Sequence, residues 1–203
     1  MYLLAKEAGR KPSGVRISPS PSMKFILTRH TTTDWNIIGK QQGWTDIPLN
    51  ERGKAEAHVL AQKFVGLDID AIVCSDLKRT SETAEIINTV LALPLHRDAR
   101  LRECCFGEIQ GLTQQESIEK YGPTLAHMWA NEATAYDFRP YGGESRDQVL
   151  ARHKEVLNML VRENPGKTML LVGHDLGLLT LLTGLGYDSG VRVGDYRVLE
   201  YNV

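Results

Sequence analysis

Three short apolar runs, each ending abruptly in polar residues, constrain the fold of this chain more than any other feature. They occupy residues 24–29, 70–74 and 168–173. A strand that is covered on both faces needs apolar residues in succession, so these runs predict buried parallel strands. Residues 196–201 alternate between apolar and polar side chains, which predicts a last, half-exposed strand. Helical patterns separate the runs. The alternation predicts an α/β fold, namely a three-layer α/β/α sandwich with a mostly parallel central sheet.

Four segments between and after these strands carry apolar residues at helical spacing. We predict helices over residues 50–66, 75–91, 145–164 and 175–185. The second of them would bury a stripe formed by Thr83, Ile87, Val90 and Leu91. The polar, aromatic-rich stretch between residues 101 and 143 predicts short helices and loops instead.

The chain has 203 residues, a length that suits one domain of ordinary size. Residues 1–22 differ from the rest because they cluster prolines, glycines and serines and carry four basic residues against one acidic residue. We predict a flexible N-terminal extension there, or a start upstream of a natural initiator at Met23; an organelle-targeting or partner-binding arm is the alternative. Residues 23–203 would form the single folded domain.

The balance of charge limits the partners of the chain. Twenty-four basic residues face 25 acidic ones, for a formal net charge of -1, so we expect neither nucleic acid nor an anionic membrane as a partner. The longest apolar stretch, residues 176–186, is too short to cross a bilayer. Three cysteines without a Cys-x-x-Cys pair argue against a disulfide framework and a zinc site. We therefore expect a cytoplasmic protein with no metal and no cofactor.

Three of the predicted strands stop at cationic or ionisable groups. Arg29 and His30 end the first, Arg79 follows the second, and His174 follows the third. If these strands are neighbours, one crevice at their carboxyl ends would hold two histidines and two arginines, which suits phosphate. A helix starting near Asp175 would point its free N–H groups into the same place. Each histidine alone would fit a structural role as well. Four more histidines lie outside any motif and are interpreted as ordinary helix or loop residues: His58, His96, His127 and His153.

Five motifs follow one another in an order that is typical of one family. The first runs from Thr28-Arg29-His30 to Asn36 and continues from Gln42-Gly43 to Gly53. The others are residues 75–84, 101–103, 142–145 and 172–174. Together they resemble the histidine phosphatase superfamily, which includes cofactor-dependent phosphoglycerate mutases and many small phosphatases. The resemblance extends over residues 24–185. It implies a phosphoglycerate mutase-like fold with a small cap segment at about residues 104–143.

The resemblance also assigns roles around a phosphoryl group. His30 would attack phosphorus and form a phosphohistidine intermediate. Its other ring nitrogen would need an acceptor, for which we expect a backbone carbonyl. Arg29, Arg79 and His174 would hold the phosphoryl oxygens. Three residues of the first motif would add phosphate contacts: Asn36, Gln42 and Gly43.

Glu103 matches the family's proton donor. It would protonate the leaving oxygen and then deprotonate the water that cleaves phosphohistidine, which requires a raised pKa. With arginines neutralising the phosphoryl charge, the resemblance implies a metal-independent phosphatase acting on a small-molecule phosphate ester. The alternatives are structural roles: a surface ion pair for Glu103 or Arg79, and an ordinary turn position for Asn36 or Gln42.

Two departures from the family pattern leave a non-catalytic, phosphate-binding relative open. Thr31 follows His30 where glycine is usual, and Asp175 follows His174 where glycine is common. The β-branched side chain of Thr31 could narrow the pocket. Asp175 would either cap the next helix or set its charge against the phosphate.

The acidic motif favours a phosphatase over mutase-type phosphoryl transfer. After Glu103 the chain reads Cys-Cys-Phe-Gly, without the Arg and Tyr that mutases carry there. The segment of residues 112–142, which would cap the pocket, is also too short to contain the insertion that mutases have. The resemblance leaves the preferred ester unassigned and a homodimer open. Six residues of the cap segment would either shape the leaving-group pocket or simply pack: Phe106, Trp129, Tyr136, Phe138, Arg139 and Tyr141.

Overall fold

A computed structural model describes residues 22–202, which form one five-stranded sheet and seven α-helices in that range. In chain order the elements are β1 (Ser22–Arg29), α1 (Asp34–Ile37), α2 (Glu51–Gln62), β2 (Ala71–Cys74), α3 (Lys78–Leu91), β3 (Leu95–Arg97), α4 (Gln114–Tyr121), α5 (Pro123–Ala130), α6 (Arg146–Glu163), β4 (Thr168–Gly173), α7 (Asp175–Gly184) and β5 (Tyr196–Asn202). The strands lie in the order β3-β2-β4-β1-β5. All pairs are parallel except β1 with β5. The predicted α/β fold is confirmed, and the three apolar runs are neighbouring strands.

Helices cover both faces of the sheet. Successive side chains of a strand point to opposite faces, so neighbouring residues of β1 enter different cores. Phe25 and Leu27 of β1 pack in a core with α6 and α7. Ile26, between them, packs in a second core with α2 and α3. These two separate cores account for the predicted three layers.

Helix α3 begins three residues later than predicted. The carboxylate of Asp76 is held by Arg102, whose Nε lies 2.7 Å from Oδ1, so this residue does not open the helix. Instead, Asp46 of a distant loop accepts a 2.7 Å hydrogen bond from the backbone N–H of Lys78. The prediction that Val90 is buried is wrong: it is 42% exposed, because it lies to the side of the helix face whose next residue, Leu91, packs against the core on the sheet. The buried row of the helix includes Thr80, Thr83, Ala84 and Ile87.

Two short elements, α1 and β3, were not predicted from the sequence. Helix α1 is a single turn that starts with a capping box between Thr33 and Asn36. Strand β3 has no apolar run of its own, and it forms by pairing Leu95 with Ile72 at the edge of the sheet.

The segment of residues 104–143 contains α4, α5 and short 3₁₀ turns, as predicted for this stretch. Its apolar side chains form a third core, in which Phe106, Trp129 and Phe138 pack with Val149 of α6 and Leu176 of α7. We call residues 104–143 the cap segment. It is therefore built on α6 and α7 and not on the sheet.

Ser22, which we predicted to belong to the extension, is the first residue of β1. Met23 follows it in the strand and is buried. The remainder of the predicted extension, residues 1–21, lies outside the described residues. Among the helices between residues 22 and 202, none is long and apolar enough to cross a membrane.

Candidate active site

The carboxyl ends of β1, β2 and β4 meet at one edge of the sheet. Arg29 of β1 is in register with Gly173 of β4, and the backbone N–H of His30 donates to the Gly173 carbonyl over 3.0 Å. The rings of His30 and His174 consequently lie together, with their centroids 5.4 Å apart. A cavity of about 200 Å³ opens beside them. Seven of the eight predicted site residues line it: Arg29, His30, Asn36, Gln42, Gly43, Arg79 and Glu103. His174 lies behind them and is fully buried.

His30 is oriented by its own neighbour in the chain. Its Nδ1 lies 2.7 Å from the carbonyl oxygen of Thr31, so Nδ1 carries the hydrogen and Nε2 keeps its lone pair. Burial lowers the pKa of His30 well below its usual value, and the charges of Arg79 and Arg29 lower it further. A neutral imidazole with a free Nε2 is the form that a nucleophile requires.

Thr31 does not narrow the cavity. Its hydroxyl donates to the Gly53 carbonyl over 2.8 Å, and its backbone N–H donates to the Thr83 hydroxyl over 3.2 Å. The side chain is fully buried and turned away from the site. The residue that replaces the usual glycine therefore joins β1 to α2 and α3.

Arg79 is a fully buried cation in the lining of the cavity. Its guanidinium donates to the carbonyls of Gly43 over 2.7 Å and Thr45 over 3.0 Å. Its Nε donates to Nδ1 of His174 over 3.2 Å, so the hydrogen of His174 is on Nε2. Burial lowers the pKa of Arg79 to about 10, which leaves it charged at neutral pH.

His174 is the neutral partner of this arginine. Burial lowers its pKa well below the usual value, and the charge of Arg79 adds to the effect. Its Nε2 is buried and has no hydrogen-bond partner within the part of the chain that the structure describes. A buried N–H without an acceptor costs free energy, which a phosphoryl oxygen would recover.

Asp175 neither caps helix α7 nor stands free. The N-cap of α7 is His174, and the Asp175 carboxylate forms an ion pair with Arg29, with 2.7 Å between Nη1 and Oδ2. The charge of Arg29 is therefore partly compensated before any phosphate arrives. The Nε of Arg29 is buried without a partner among residues 22–202.

The three further residues predicted to contact phosphate differ in their surroundings. The side-chain oxygen of Asn36 accepts from the backbone N–H of Thr33 over 3.0 Å. Gln42 is 7% exposed, and its Oε1 has no partner within the described chain. Gly43 has a φ of 52°, and a Cβ there would overlap the side chain of Gln110, which is why a glycine is needed.

Glu103 sits at the N-terminus of helix α7. Its Oε1 accepts from the backbone N–H groups of Cys104 and Gly177, each over 2.8 Å, and Oε2 lies 3.2 Å from the N–H of Leu176. Two N–H groups that we predicted to be free for phosphate thus hold this carboxyl group instead. Burial raises the pKa of Glu103, repulsion from Asp175 adds to it, and the hydrogen bond from Cys104 opposes it. A raised pKa suits a group that must begin the reaction protonated.

The backbone of Glu103 is held from two further sides. Its carbonyl oxygen accepts from the indole N–H of Trp44 and from the guanidinium of Arg152, both over 2.8 Å. Arg152 is paired in turn with Glu144 of the Gly-Gly-Glu-Ser motif. Arg152 had no predicted role, because Glu144 lies before the N-cap of α6 and no helical spacing links the two residues.

Of the six cap residues that we considered for the leaving-group pocket, two line the cavity. Phe106 and Trp129 do so, together with Gln114 and Glu132, which the sequence did not single out. Tyr136 and Phe138 are buried in the cap core, and Arg139 pairs with Asp137. Tyr141 packs against the same core, so packing is the correct interpretation for three of the six, whereas Arg139 is exposed and neither packs nor lines the cavity.

His153 differs from the interpretation of it as an ordinary histidine. It is fully buried, its Nδ1 lies 2.9 Å from the Val149 carbonyl, and its Nε2 has no partner among the described residues. A Cβ added to Gly177 would come within 3.0 Å of that Nε2 and 3.6 Å of Glu103 Oε1. His153 therefore lies beside Gly177, close to the carboxyl group of Glu103. No local motif marks it, because α6 brings it there from a distant part of the chain.

Groups of three or more histidine, cysteine, aspartate or glutamate side chains that could hold a metal ion do not occur in residues 22–202. The three cysteines are free thiols, with Cys74 and Cys104 buried.

The comparisons with known proteins agree on one family. Residues 25–192 match the model of the histidine phosphatase superfamily (branch 1). The chain is 34% identical over 163 residues to phosphoserine phosphatase 1 of Hydrogenobacter thermophilus, covering 80% of this chain and 76% of that one. It is 30% identical over 184 residues to a 2,3-bisphosphoglycerate-dependent phosphoglycerate mutase of Gloeobacter violaceus, covering 88% and 82%. A mycobacterial glucosyl-3-phosphoglycerate phosphatase, solved in complex with VO3, superposes with a TM-score of 0.73 at 31% identity, covering 80% and 81%.

Proposed function

The chain belongs to the histidine phosphatase superfamily, and we propose that it hydrolyses small phosphate monoesters through a phosphohistidine formed on His30. One observation carries this proposal. His30, with its Nδ1 held by the Thr31 carbonyl and its Nε2 free, lines the same cavity as Arg29, Arg79 and the buried carboxyl of Glu103. The similarity of the chain to a phosphoserine phosphatase and to a glucosyl-3-phosphoglycerate phosphatase is consistent with it.

The reaction would take place in two displacements. First, Nε2 of His30 attacks phosphorus, the ester P–O bond breaks, and the leaving oxygen takes the proton of Glu103. Then the Glu103 carboxylate removes a proton from water, the resulting hydroxide attacks phosphorus, and the P–N bond breaks. His30 returns to its neutral form and Glu103 to its acid form. Arg29, Arg79 and the Nε2–H of His174 would bind the phosphoryl oxygens throughout.

The pKa shifts of the two reacting groups support these roles. The pKa of His30 is lowered, so the nucleophile is neutral even in mildly acidic solution, and that of Glu103 is raised, so the acid keeps its proton to a higher pH than usual. A histidine whose pKa is lowered is neutral, and a carboxyl group whose pKa is raised keeps its proton, so the two can act as nucleophile and acid in the same pH range.

A mutase is the second candidate, because one relative of comparable identity is a phosphoglycerate mutase. A mutase must exclude water from its phosphorylated intermediate, whereas a phosphatase must admit it. The Cys-Cys-Phe-Gly sequence after Glu103 favours the phosphatase. In an assay primed with a bisphosphate, we expect released phosphate and no isomerised phosphoglycerate.

The test is phosphate release from a panel of phosphomonoesters in excess EDTA. Replacement of His30 by alanine should lower turnover at least about a thousandfold, because the nucleophile is lost. His58, an exposed histidine on α2, supplies the matched His58→Ala control, which should keep wild-type turnover. Equal turnover by His30→Ala and wild type would refute the proposal. Binding of the esters in competition with phosphate, with no turnover by wild type, would indicate the non-catalytic relative.

The same proposal includes a small-molecule ester as the partner and a cytoplasmic location. The three free thiols, two of them buried, support a reducing compartment.

A further inference from the structure

Glu132 is a half-buried carboxylate in the wall of the cavity. It belongs to the cap segment, whereas the residues that would bind the phosphoryl group come from the edge of the sheet. A leaving group would extend from the phosphoryl position towards the cap. None of the ion pairs or hydrogen bonds within residues 22–202 involves the Glu132 carboxylate, and repulsion dominates among its charged neighbours.

The loop that carries Glu132 is fastened at both ends. Before it, the indole N–H of Trp129 donates to the Ser117 hydroxyl over 3.2 Å. After it, the Thr183 hydroxyl lies 3.0 Å from the Ala133 carbonyl oxygen. Thr183 is on α7, eight residues after Asp175, so the loop lies along the face of α7 that leads to the site. Glu132 is thereby held over the cavity.

No neighbouring cation among residues 22–202 forms an ion pair with Glu132. Burial raises its pKa, and the charges of Asp175 and Glu103 raise it further, with Arg29 opposing them. The charge of Arg29 is already shared with Asp175. Arg79, a second cation lining the cavity, donates to the carbonyls of Gly43 and Thr45. Lys40, the third, lies over the ring of Trp35 at 5.7 Å from its centroid and forms no ion pair with Glu132. A partly desolvated carboxylate without a partner is costly, and a cationic ligand would remove that cost.

A second group in the cavity lacks a hydrogen-bond donor. Oε1 of Gln42 is buried and unpartnered within the described residues, and Gln42 lines the same cavity. An ammonium group has three donors and no acceptor, so it can serve a carboxylate and an amide oxygen together. A hydroxyl has one donor and no charge. The volume of about 200 Å³ suits a leaving group of only a few heavy atoms beside the phosphoryl group.

We infer that Glu132 determines specificity by selecting phosphate esters whose leaving group carries an ammonium group. The inference rests on the proposed function, because it concerns the leaving group of the ester that His30 would attack. Neither the family match nor the position of any motif assigns a role to Glu132.

The test uses two esters that differ only in the group of interest. Phosphoethanolamine and 2-hydroxyethyl phosphate have the same chain length, and one ends in an ammonium group where the other ends in a hydroxyl. We would measure kcat/KM for both at pH 8 with wild type, Glu132→Gln and Glu119→Gln. Glu119 is an exposed glutamate on α4 outside the cavity, so its variant is the matched control.

Wild type should favour the ammonium ester by roughly tenfold or more, as expected for a charge-assisted hydrogen bond. Glu132→Gln should reduce that ratio to near one, and Glu119→Gln should leave it as in wild type. Equal kcat/KM values for the two esters with wild type, or the same ratio in Glu132→Gln as in wild type, would overturn the inference.

A charge reversal gives an independent readout. Glu132→Lys should raise the kcat/KM of phosphoglycolate, whose leaving group carries a carboxylate, relative to that of 2-hydroxyethyl phosphate. No change in this second ratio would count against the inference. If wild type hydrolyses no ester of the phosphomonoester panel, the proposed function fails by itself; if it hydrolyses other esters but not these three, the proposed function stands. The inference is then decided by calorimetry, in which phosphoethanolamine should displace inorganic phosphate at a lower concentration than 2-hydroxyethyl phosphate does; equal concentrations would overturn it.

Discussion

Arg29 has two competing uses for its positive charge. It lines the cavity where a phosphoryl group would bind, and it is paired with Asp175 at 2.7 Å. The Asp175 side chain is 56% exposed, so solvent screens the pair and its free energy is small. Asp175 therefore lowers the affinity of the site for a dianion by a modest amount, and release of the phosphate product becomes easier for the same reason.

Substitution of Asp175 by asparagine should tighten the binding of inorganic phosphate. Exposed ion pairs contribute about 0.2–1 kcal/mol, so we expect up to about a fivefold decrease in the inhibition constant of phosphate. The measurement is competitive inhibition by phosphate of wild type and Asp175→Asn. Asp188→Asn, which removes an exposed partner of Arg197 outside the cavity, is the control. Unchanged or weaker inhibition of Asp175→Asn would contradict the argument.

Sequence reasoning at this scale worked where a single residue's chemistry dictates its surroundings. A neutral nucleophilic histidine needs an acceptor for its second nitrogen, and the Thr31 carbonyl is that acceptor. The same reasoning failed for the side chain of Thr31, whose hydroxyl partner is Gly53, 22 residues further along the chain. It also failed for Glu132, because an isolated glutamate in a loop carries no pattern. Long-range partners have no local signal.

At the scale of elements, the start of helix α3 depends on a loop that also supports the site. Asp46 accepts from the backbone N–H of Lys78, the first residue of α3. The same loop provides the carbonyls of Gly43 and Thr45 that hold Arg79. Asp46 thus acts as an N-cap supplied from a distance of 32 residues along the chain, and it links the helix to the loop.

Replacing Asp46 by alanine should lower the free energy of unfolding by about 1 kcal/mol, the usual cost of a lost N-cap acceptor. Urea denaturation measures it. Asp68→Ala, at an exposed aspartate before β2, is the matched control and should change stability by less than about 0.5 kcal/mol. If the two variants are equally stable, the hydrogen bond to Lys78 contributes nothing to the fold.

The strands and long helices were predictable because their patterns are long. Strand β4 has the predicted limits of residues 168–173, and helix α6 begins one residue after its predicted start at Ser145, which is the N-cap. The three residues of β3 and the four of α1 are too few to show a period. Their structure is imposed by β2 and by a capping box, respectively, so sequence periodicity could not reveal them.

At the scale of the whole molecule, the fold buries three histidines in neutral form. His30, His174 and His153 are 2%, 0% and 0% exposed, and burial is the largest cause of the lowered pKa in each. The unfolded chain binds protons at these imidazoles near pH 6.5, whereas the folded chain does so only at lower pH. Stability from these groups is thus complete above about pH 6.5 and is lost as the pH falls towards their folded-state values.

His153 allows this effect to be separated from catalysis, because it does not line the cavity and its pKa is lowered to about 3. Between pH 6 and pH 4 it should contribute up to about 1.4 kcal/mol per pH unit to the slope of unfolding free energy against pH, the value for one proton. His153→Gln keeps a side-chain donor for the Val149 carbonyl but does not titrate, so its slope should be smaller by that amount.

Urea denaturation at several pH values measures the slopes, with His58→Gln as an exposed control that keeps the wild-type slope. The readout is the slope and not the stability at any one pH, so a uniform loss of packing in the variant does not affect it. An identical slope for His153→Gln and wild type would mean that His153 is charged in the folded protein, which its fully buried position beside Arg152 opposes.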